Sequence, residues 1–122
     1  MNPLLKKLQL KPERKACVLQ APTELESLAV EASAGTALKG SFDWILFFAR
    51  NKAELTREAP RLKKALNEGG MVWIAYPKAK ALGTDLNRDI VRELLAPGGL
   101  ETVAQVALDD TWSALRCKAV GA

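Results

Sequence analysis

Phe42-Asp43-Trp44-Ile45-Leu46-Phe47-Phe48-Ala49 is the stretch that decides the fold. It is almost wholly apolar and does not alternate, as a strand with one wet face must. It predicts a strand covered on both faces, as in a parallel sheet held between layers of helices. Immediately after it, Asn51 reads as a helix cap with Glu54 three positions on. Leu55, Ala59, Leu62 and Leu66 then recur at helical spacing and give that helix its buried stripe. Pro60 falls inside the helix, where it removes one backbone donor and bends the axis. Gly69-Gly70 is read as the helix stop, and Met71 to Tyr76 as a second buried strand.

Toward the amino terminus, Pro3 to Leu10 predicts a short amphipathic helix, with Leu4, Leu5 and Leu8 on one face and Lys6 and Lys7 opposite. Ala16 to Leu19 is a compact apolar run and reads as a buried strand. Thr23 and Glu26 have capping-box spacing and should open a helix ending near Leu28 to Val30. Residues 32–40 hold small side chains and at most one short edge strand. Toward the carboxyl terminus, Thr84 is read as the cap of a helix whose apolar face is Leu86, Ile90, Val91 and Leu94, closed by Pro97-Gly98-Gly99. Two strands follow, over 103–108 and 111–117, joined through Asp109-Asp110 in a tight antiparallel hairpin. Alternating strands and helices predict an α/β fold, a three-layer sandwich. Its sheet, mainly parallel and of five or six strands, ends in that hairpin.

A chain of 122 residues suits one domain, 1–122, with one core. Apolar content of 48% and charged content of 26% are ordinary globular values, which exclude disordered and fibrous classes. No apolar run approaches the ~18 residues that span a bilayer, and no apolar stretch with a cleavage site follows Lys6 and Lys7. The expectation is a cytoplasmic protein with no membrane partner. The chain has no His and two Cys, so it can assemble neither a Cys/His zinc site nor a Ser-His-Asp or Cys-His catalytic set. No metal site is expected, and Cys17 and Cys117 read as reduced core thiols. The net charge of +4 is uneven: residues 1–64 carry 12 Lys/Arg against 7 Asp/Glu, and residues 65–122 carry 6 against 7. The basic half is either a solvated surface or a face for an anionic partner. No Lys/Arg tract is interleaved with aromatics, so a dedicated nucleic-acid binder is not expected.

Ser41-Phe42-Asp43-Trp44-Ile45-Leu46, followed by Leu66-Asn67-Glu68-Gly69-Gly70-Met71-Val72, resembles the second half of the Rossmann-like class I methyltransferases. There an F-D-x-[IV]-[IVL] strand precedes a helix, an L-x-x-G-G turn and the next strand. In that family a glycine-rich loop after the first strand admits the amino-acid part of S-adenosylmethionine, and an acidic residue closing the second strand holds the ribose. Here Gln20-Ala21-Pro22 follow Leu19, and Glu31 is the only nearby candidate for that acid. The resemblance therefore implies a truncated methyltransferase-like domain with no cofactor bound in the usual mode. A second resemblance spans nearly the whole chain. Tyr76-Pro77-Lys78, Thr84-Asp85-Leu86-Asn87-Arg88-Asp89 and Asp109-Asp110-Thr111-Trp112-Ser113-Ala114-Leu115-Arg116 look like a family of small uncharacterised bacterial proteins, a domain of unknown function. It implies no activity.

Open α/β sheets bind ligands at the carboxyl ends of their strands, which here gathers Gln20, Arg50, Asn51, Tyr76, Lys78 and Lys80. Lys78 and Lys80, beside a helix opening at Thr84, can hold a phosphate or carboxylate; they read equally as a solvated loop with a conventional cap. No G-x-x-x-x-G-K-[ST] string is present, which excludes a P-loop. Asp85, Arg88, Asp89 and Arg92 sit at helical spacing, as surface pairs worth ~0.3–0.5 kcal/mol each or as a polar set facing a ligand. Asp109 and Asp110 suit a cation or general-base role only if a turn makes them converge; otherwise they form the hairpin turn itself. Three functional readings follow. The first is a non-catalytic module that binds a partner protein or forms a homodimer. The second is an enzyme or sensor for a small anion at Lys78, Lys80, Thr84, Asp85, Arg88, Asp109 and Asp110. The third is a methyltransferase with an atypical site. The sequence does not decide whether the chain is an enzyme.

Overall fold

The computed structural model describes residues 2–120. Five strands form one sheet: β1 (Ala16–Leu19), β2 (Phe42–Phe48), β3 (Leu66–Pro77), β4 (Leu100–Ala107) and β5 (Trp112–Ala119), in the spatial order β1-β2-β3-β5-β4. β1, β2 and β3 are parallel, and β5 is antiparallel to both β3 and β4. One strand thus runs against the other four. The decisive octapeptide lies mid-sheet, and Trp44 to Ala49 are all buried.

Both faces are covered, as the absence of alternation requires. α3 (Lys52–Lys64) and α4 (Arg88–Leu95) lie on one side. Leu55, Ala59, Leu62, Val91 and Leu95 pack there on Ile45, Phe47, Val72 and Ile74. On the other side α1 (Pro3–Lys7) and α2 (Ser27–Glu31), with the residues that flank them, bring Leu5, Leu8, Leu25 and Leu28 onto Trp44, Leu46, Phe48 and Trp73. α1 is held by its end. The indole nitrogens of Trp44 and Trp73 both donate to the Leu8 carbonyl, at 2.9 Å each. That carbonyl is free because it follows the last turn of a helix. Gln9 adopts φ +62, Gln9 N bonds Lys6 O, and Leu10 N bonds Leu5 O. This is a Schellman ending built without glycine. Ser33, at φ +52, ends α2 in the same way.

Several local expectations need correction. Thr23 opens a 3-10 turn (Thr23–Leu25) with no side-chain cap, and α2 starts only at Ser27, because Pro22 fills the cap position and offers no capping oxygen. The limit of one short edge strand over residues 32–40 is kept: Gly35 alone bridges β1, with Val18 N on Gly35 O and Gly35 N on Ala16 O. The long helix stops at Lys64, not at the glycines, and Leu66 already pairs in β3. Phe42 faces Leu66 and Trp44 faces Met71, so residues 67–70 loop out opposite Asp43. Gly69 has φ +77, and a Cβ on Gly70 would lie 2.8 Å from Asp43 O. The glycines serve that loop-out. Asn51 does cap α3 as expected, with Glu54 N donating to its Oδ1 and Arg50 N donating to Glu54 Oε1.

Cys17, Ile45, Val72 and Cys117 stand in register across four neighbouring strands. Three strand spacings put the thiols roughly 14 Å apart, too far for a disulfide. Burial pushes Cys17 up to about 11 and Cys117 up to about 12. Both stay protonated and inert at neutral pH.

Two predictions follow from this packing. Replacing either Trp44 or Trp73 by Phe should cost about 1–3 kcal/mol, since one indole still satisfies Leu8 O. The double replacement should cost more than the sum of the two, because it leaves that buried carbonyl bare. Urea unfolding of the four proteins measures this, and additivity would refute it. The second concerns Asp43, which accepts Lys15 N at 2.9 Å and Asn67 Nδ2 at 3.0 Å. Those bonds, with Arg14 and Lys15 nearby, hold its carboxyl below the usual 3.8. Its contribution is complete above 3.8 and is lost as pH falls through the lower folded value. Thermal midpoints of the wild type and Asp43→Asn should therefore differ at neutral pH and converge in acid.

Candidate functional site

The carboxyl ends of β1, β2 and β3 form a rim crossed by the protein's own side chains. Gln20, at φ +60, turns back so that its Nε2 donates to Phe48 O at 3.1 Å. Arg50 Nη2 donates to Gln20 O at 3.0 Å, and its guanidinium lies 5.9 Å from the Trp112 ring centre. Beyond Arg50, Thr84 Oγ1 donates to Arg50 O at 2.6 Å and accepts Leu86 N at 3.1 Å. Asp85 Oδ1 accepts Lys52 N at 2.8 Å, so this carboxylate sits at the positive start of α3.

Thr84 is therefore not the cap of the following helix. α4 begins at Arg88 and is capped by Asn87, whose Oδ1 accepts Ile90 N at 2.9 Å. Asp85 lies outside that helix and bonds α3, which removes the expected Asp85–Arg88 pair; Asp89 instead meets both Arg88 and Arg92. Lys80, Thr84 and Asp85 do come together, lining a groove of about 350 Å³ with Leu86, Asn87 and Ile90. Arg88 lines a different groove, with Arg92, Thr102 and Gln105. Lys78 is half-buried, and its backbone N bonds Thr111 O beside the hairpin. Asp109 Oδ1 accepts Thr111 N and Trp112 N, at 2.8 and 2.7 Å, which makes it the turn-forming residue. Asp110 is exposed. The seven residues thus divide among the Lys80 groove, the Arg88 groove and the hairpin.

Sequence reasoning missed the polar contact at the hairpin base, where Gln105 Nε2 donates to Tyr76 OH and Ser113 Oγ. Alternation in β4 was the available signal, since Gln105 and Leu115 face each other across the strand pair. Trp112 Nε1 is buried without a partner among the described residues. No group of three or more metal-ligating side chains occurs among them either. No described helix is long and apolar enough to cross a membrane.

Several solved structures of similar fold are methyltransferases. The glycopeptide N-methyltransferase MtfA matches with a TM-score of 0.65 at 10% identity, over 95% of this chain and 88% of that one. The magnesium protoporphyrin IX methyltransferase of Synechocystis PCC 6803, solved with bound S-adenosylhomocysteine (SAH), gives 0.64 at 11%, over 93% and 77%. The fold is methyltransferase-like. Ribosomal protein L11 methylase of Lactobacillus delbrueckii subsp. bulgaricus gives 0.60 at 14% identity, over 95% and 74%. At these identities the likeness concerns the fold alone. No family model and no curated protein matches the chain, so the expected membership of a domain-of-unknown-function family gains no support.

The rim departs in sequence from the glycine-rich loop that the resembled family uses for S-adenosylmethionine. Gln20-Ala21-Pro22 replaces a glycine loop, and the Gln20 and Arg50 side chains bond across the strand ends. Gly35 rather than a further strand borders β1.

The two hairpin carboxylates should behave differently. Asp109→Ala should lower unfolding free energy by about 1–2 kcal/mol, through loss of two turn hydrogen bonds. Asp110→Ala should stay within about 0.5 kcal/mol of the parent. Chemical denaturation checks both, and equal effects would remove Asp109 from its structural role.

Proposed function

We propose that the chain is a non-catalytic, methyltransferase-like binding module that lacks the usual S-adenosylmethionine site. The supporting observation is the closure of the rim: Gln20 bonds Phe48 O, and Arg50 bonds Gln20 O. Both helix starts near the rim are also supplied with acceptors from the chain itself, Asn51 and Asp85 at α3 and Asn87 at α4. Three of the backbone donors that would greet an anion, Lys52 N, Glu54 N and Ile90 N, are thereby already engaged. A module of this kind acts through its surface, on a partner protein or on a second copy.

The alternative, an enzyme or sensor for a small phosphate- or carboxylate-bearing ligand, has one observation in its favour. Lys80, Thr84 and Asp85 share a groove of about 350 Å³, a volume suited to a small molecule. Of the remaining candidates, Lys78 stands near Thr111, and Arg88 and the Asp109-Asp110 turn lie elsewhere. Asp85 brings a negative charge into that groove, which works against an anion.

A thermal-shift series separates the readings. A ligand present at ~100 times its dissociation constant adds ~2.7 kcal/mol to the native state, several degrees of midpoint in a domain of this size. The expected result is no shift with S-adenosylmethionine, S-adenosylhomocysteine, inorganic phosphate or small carboxylates. A shift with either adenosyl compound would overturn the proposal. A shift with phosphate that Lys80→Ala abolishes would establish the alternative.

A further inference from the structure

The edge of the sheet opposite the rim gathers cations that are dispersed in the sequence. Arg14 and Lys15 precede β1, and Lys39 precedes β2. Arg61, Lys63 and Lys64 end α3, which returns to this edge because the strands it joins are parallel. Contacts confirm the gathering. Lys15 Nζ stands 5.0 Å from the Phe42 ring centre, and a Cβ on Gly40 would lie 3.7 Å from it. Gly40 and Leu38 in turn line a groove of about 360 Å³ with Arg61, Lys64 and Ala65.

The charge balance of this edge differs from that of the rim. Residues 11–15, 39–43 and 57–68, with Glu101 and Lys118, carry nine Lys/Arg against five Asp/Glu. Residues 50–54, 78–93 and 109–110, which make up the rim and α4, carry six against six. The formal net charge of +4 is thus the charge of one edge. Two of the five acids there are engaged: Asp43 by Lys15 N and Asn67, and Glu58 by Arg57 and Arg61. Glu13, Glu68 and Glu101 remain exposed on this edge. Lys15, Lys39 and Lys64 are exposed and make no ion pair among the described residues.

We propose that this basic edge, centred on the groove between Gly40 and the end of α3, docks the phosphodiester backbone of a nucleic acid. The inference goes beyond the module reading and stands whether or not the rim is catalytic. Lysines presented as separate point charges suit successive phosphates, and such binding needs no aromatic platform. An anionic membrane is disfavoured because the exposed large apolar residues Val30, Leu82 and Val103 do not line this groove, and surface helices bind lipid through an apolar face. An acidic peptide would need pockets for its side chains, and Leu38 and Ala65 are the only apolar side chains lining this groove. The sequence held no contiguous basic tract, so only the fold assembles the feature.

Fluorescence anisotropy of the full chain with a labelled single-stranded RNA and a labelled DNA duplex tests the proposal. Binding should weaken steeply with salt, by ~0.7 in log–log slope per phosphate neutralised on the single strand. The triple variant Lys39→Glu, Arg61→Glu, Lys64→Glu should lose about tenfold or more in affinity. Lys80→Glu, at the opposite rim, should change it by less than about twofold. If the triple variant fails to fold, Lys39→Gln with Lys64→Gln must still weaken binding by about threefold. No binding by the parent protein, or equal losses from both edges, would overturn the proposal. So would binding confined to phosphatidylserine vesicles or to polyglutamate, which would reassign the surface to a membrane or to an acidic protein.

Discussion

The Leu8 carbonyl, clamped between the indoles of Trp44 and Trp73, is the contact on which the second layer depends. α1 has only five residues, too few to be stable alone. It persists because Leu5 and Leu8 are fully buried and because its last turn supplies an acceptor to two tryptophan indoles that have no other partner among the described residues. Those tryptophans sit on neighbouring strands, two register positions apart and on the same face of the sheet. The clamp therefore ties the chain's beginning to the middle of the sheet. Each side supplies what the other would otherwise leave unsatisfied in a dry interior.

The sheet itself is asymmetric in its margins. At one side β1 is bordered by a single bridged residue, Gly35, so its edge is occupied without a further strand. At the other side β4 is the terminal strand. A register shift between Thr102 and Ala104 breaks the regularity of that edge, which is one way proteins discourage edge-to-edge pairing. The two ends of the strands differ as well. The carboxyl rim is tied by Gln20, Arg50, Thr84 and Asp85 into a set of side-chain-to-backbone bonds. The amino edge is held by Asp43 and by the Asn67–Gly70 loop-out, and leaves its cations outward. A fold shared with methyltransferases here directs its polar chemistry into closing one end and charging the other.

Much of the fold was legible because its signals are local. The unalternating Phe42–Ala49 run, the Asn51/Glu54 cap, the Leu55/Ala59/Leu62 stripe and the Asp109 turn each depend on residues within a few positions of one another. The misreadings have equally definite causes. Thr84 and Asp85 look like a helix start, but they bond Arg50 O and Lys52 N, about 34 and 33 residues away in sequence. Gln9 and Ser33 end helices in a conformation for which the sequence advertises no glycine. Gly69-Gly70 was visible, but its purpose, room beside Asp43 O, is a contact between strands.

By itself, then, the sequence determined which segments must be buried, that the sheet is covered on both faces, and that these residues cannot assemble a Cys/His zinc site or a Ser-His-Asp or Cys-His catalytic set. These follow from composition and from periodicity, which encode burial directly. Only the tertiary structure decided that the candidate anion-site residues fall into separate places, that the two cysteines stand roughly 14 Å apart in one register row, and that dispersed lysines and arginines share an edge. The reason is topological. Parallel strands joined by returning helices bring the starts of β1, β2 and β3 and the end of α3 together, and a reading confined to neighbouring residues has no term for that distance.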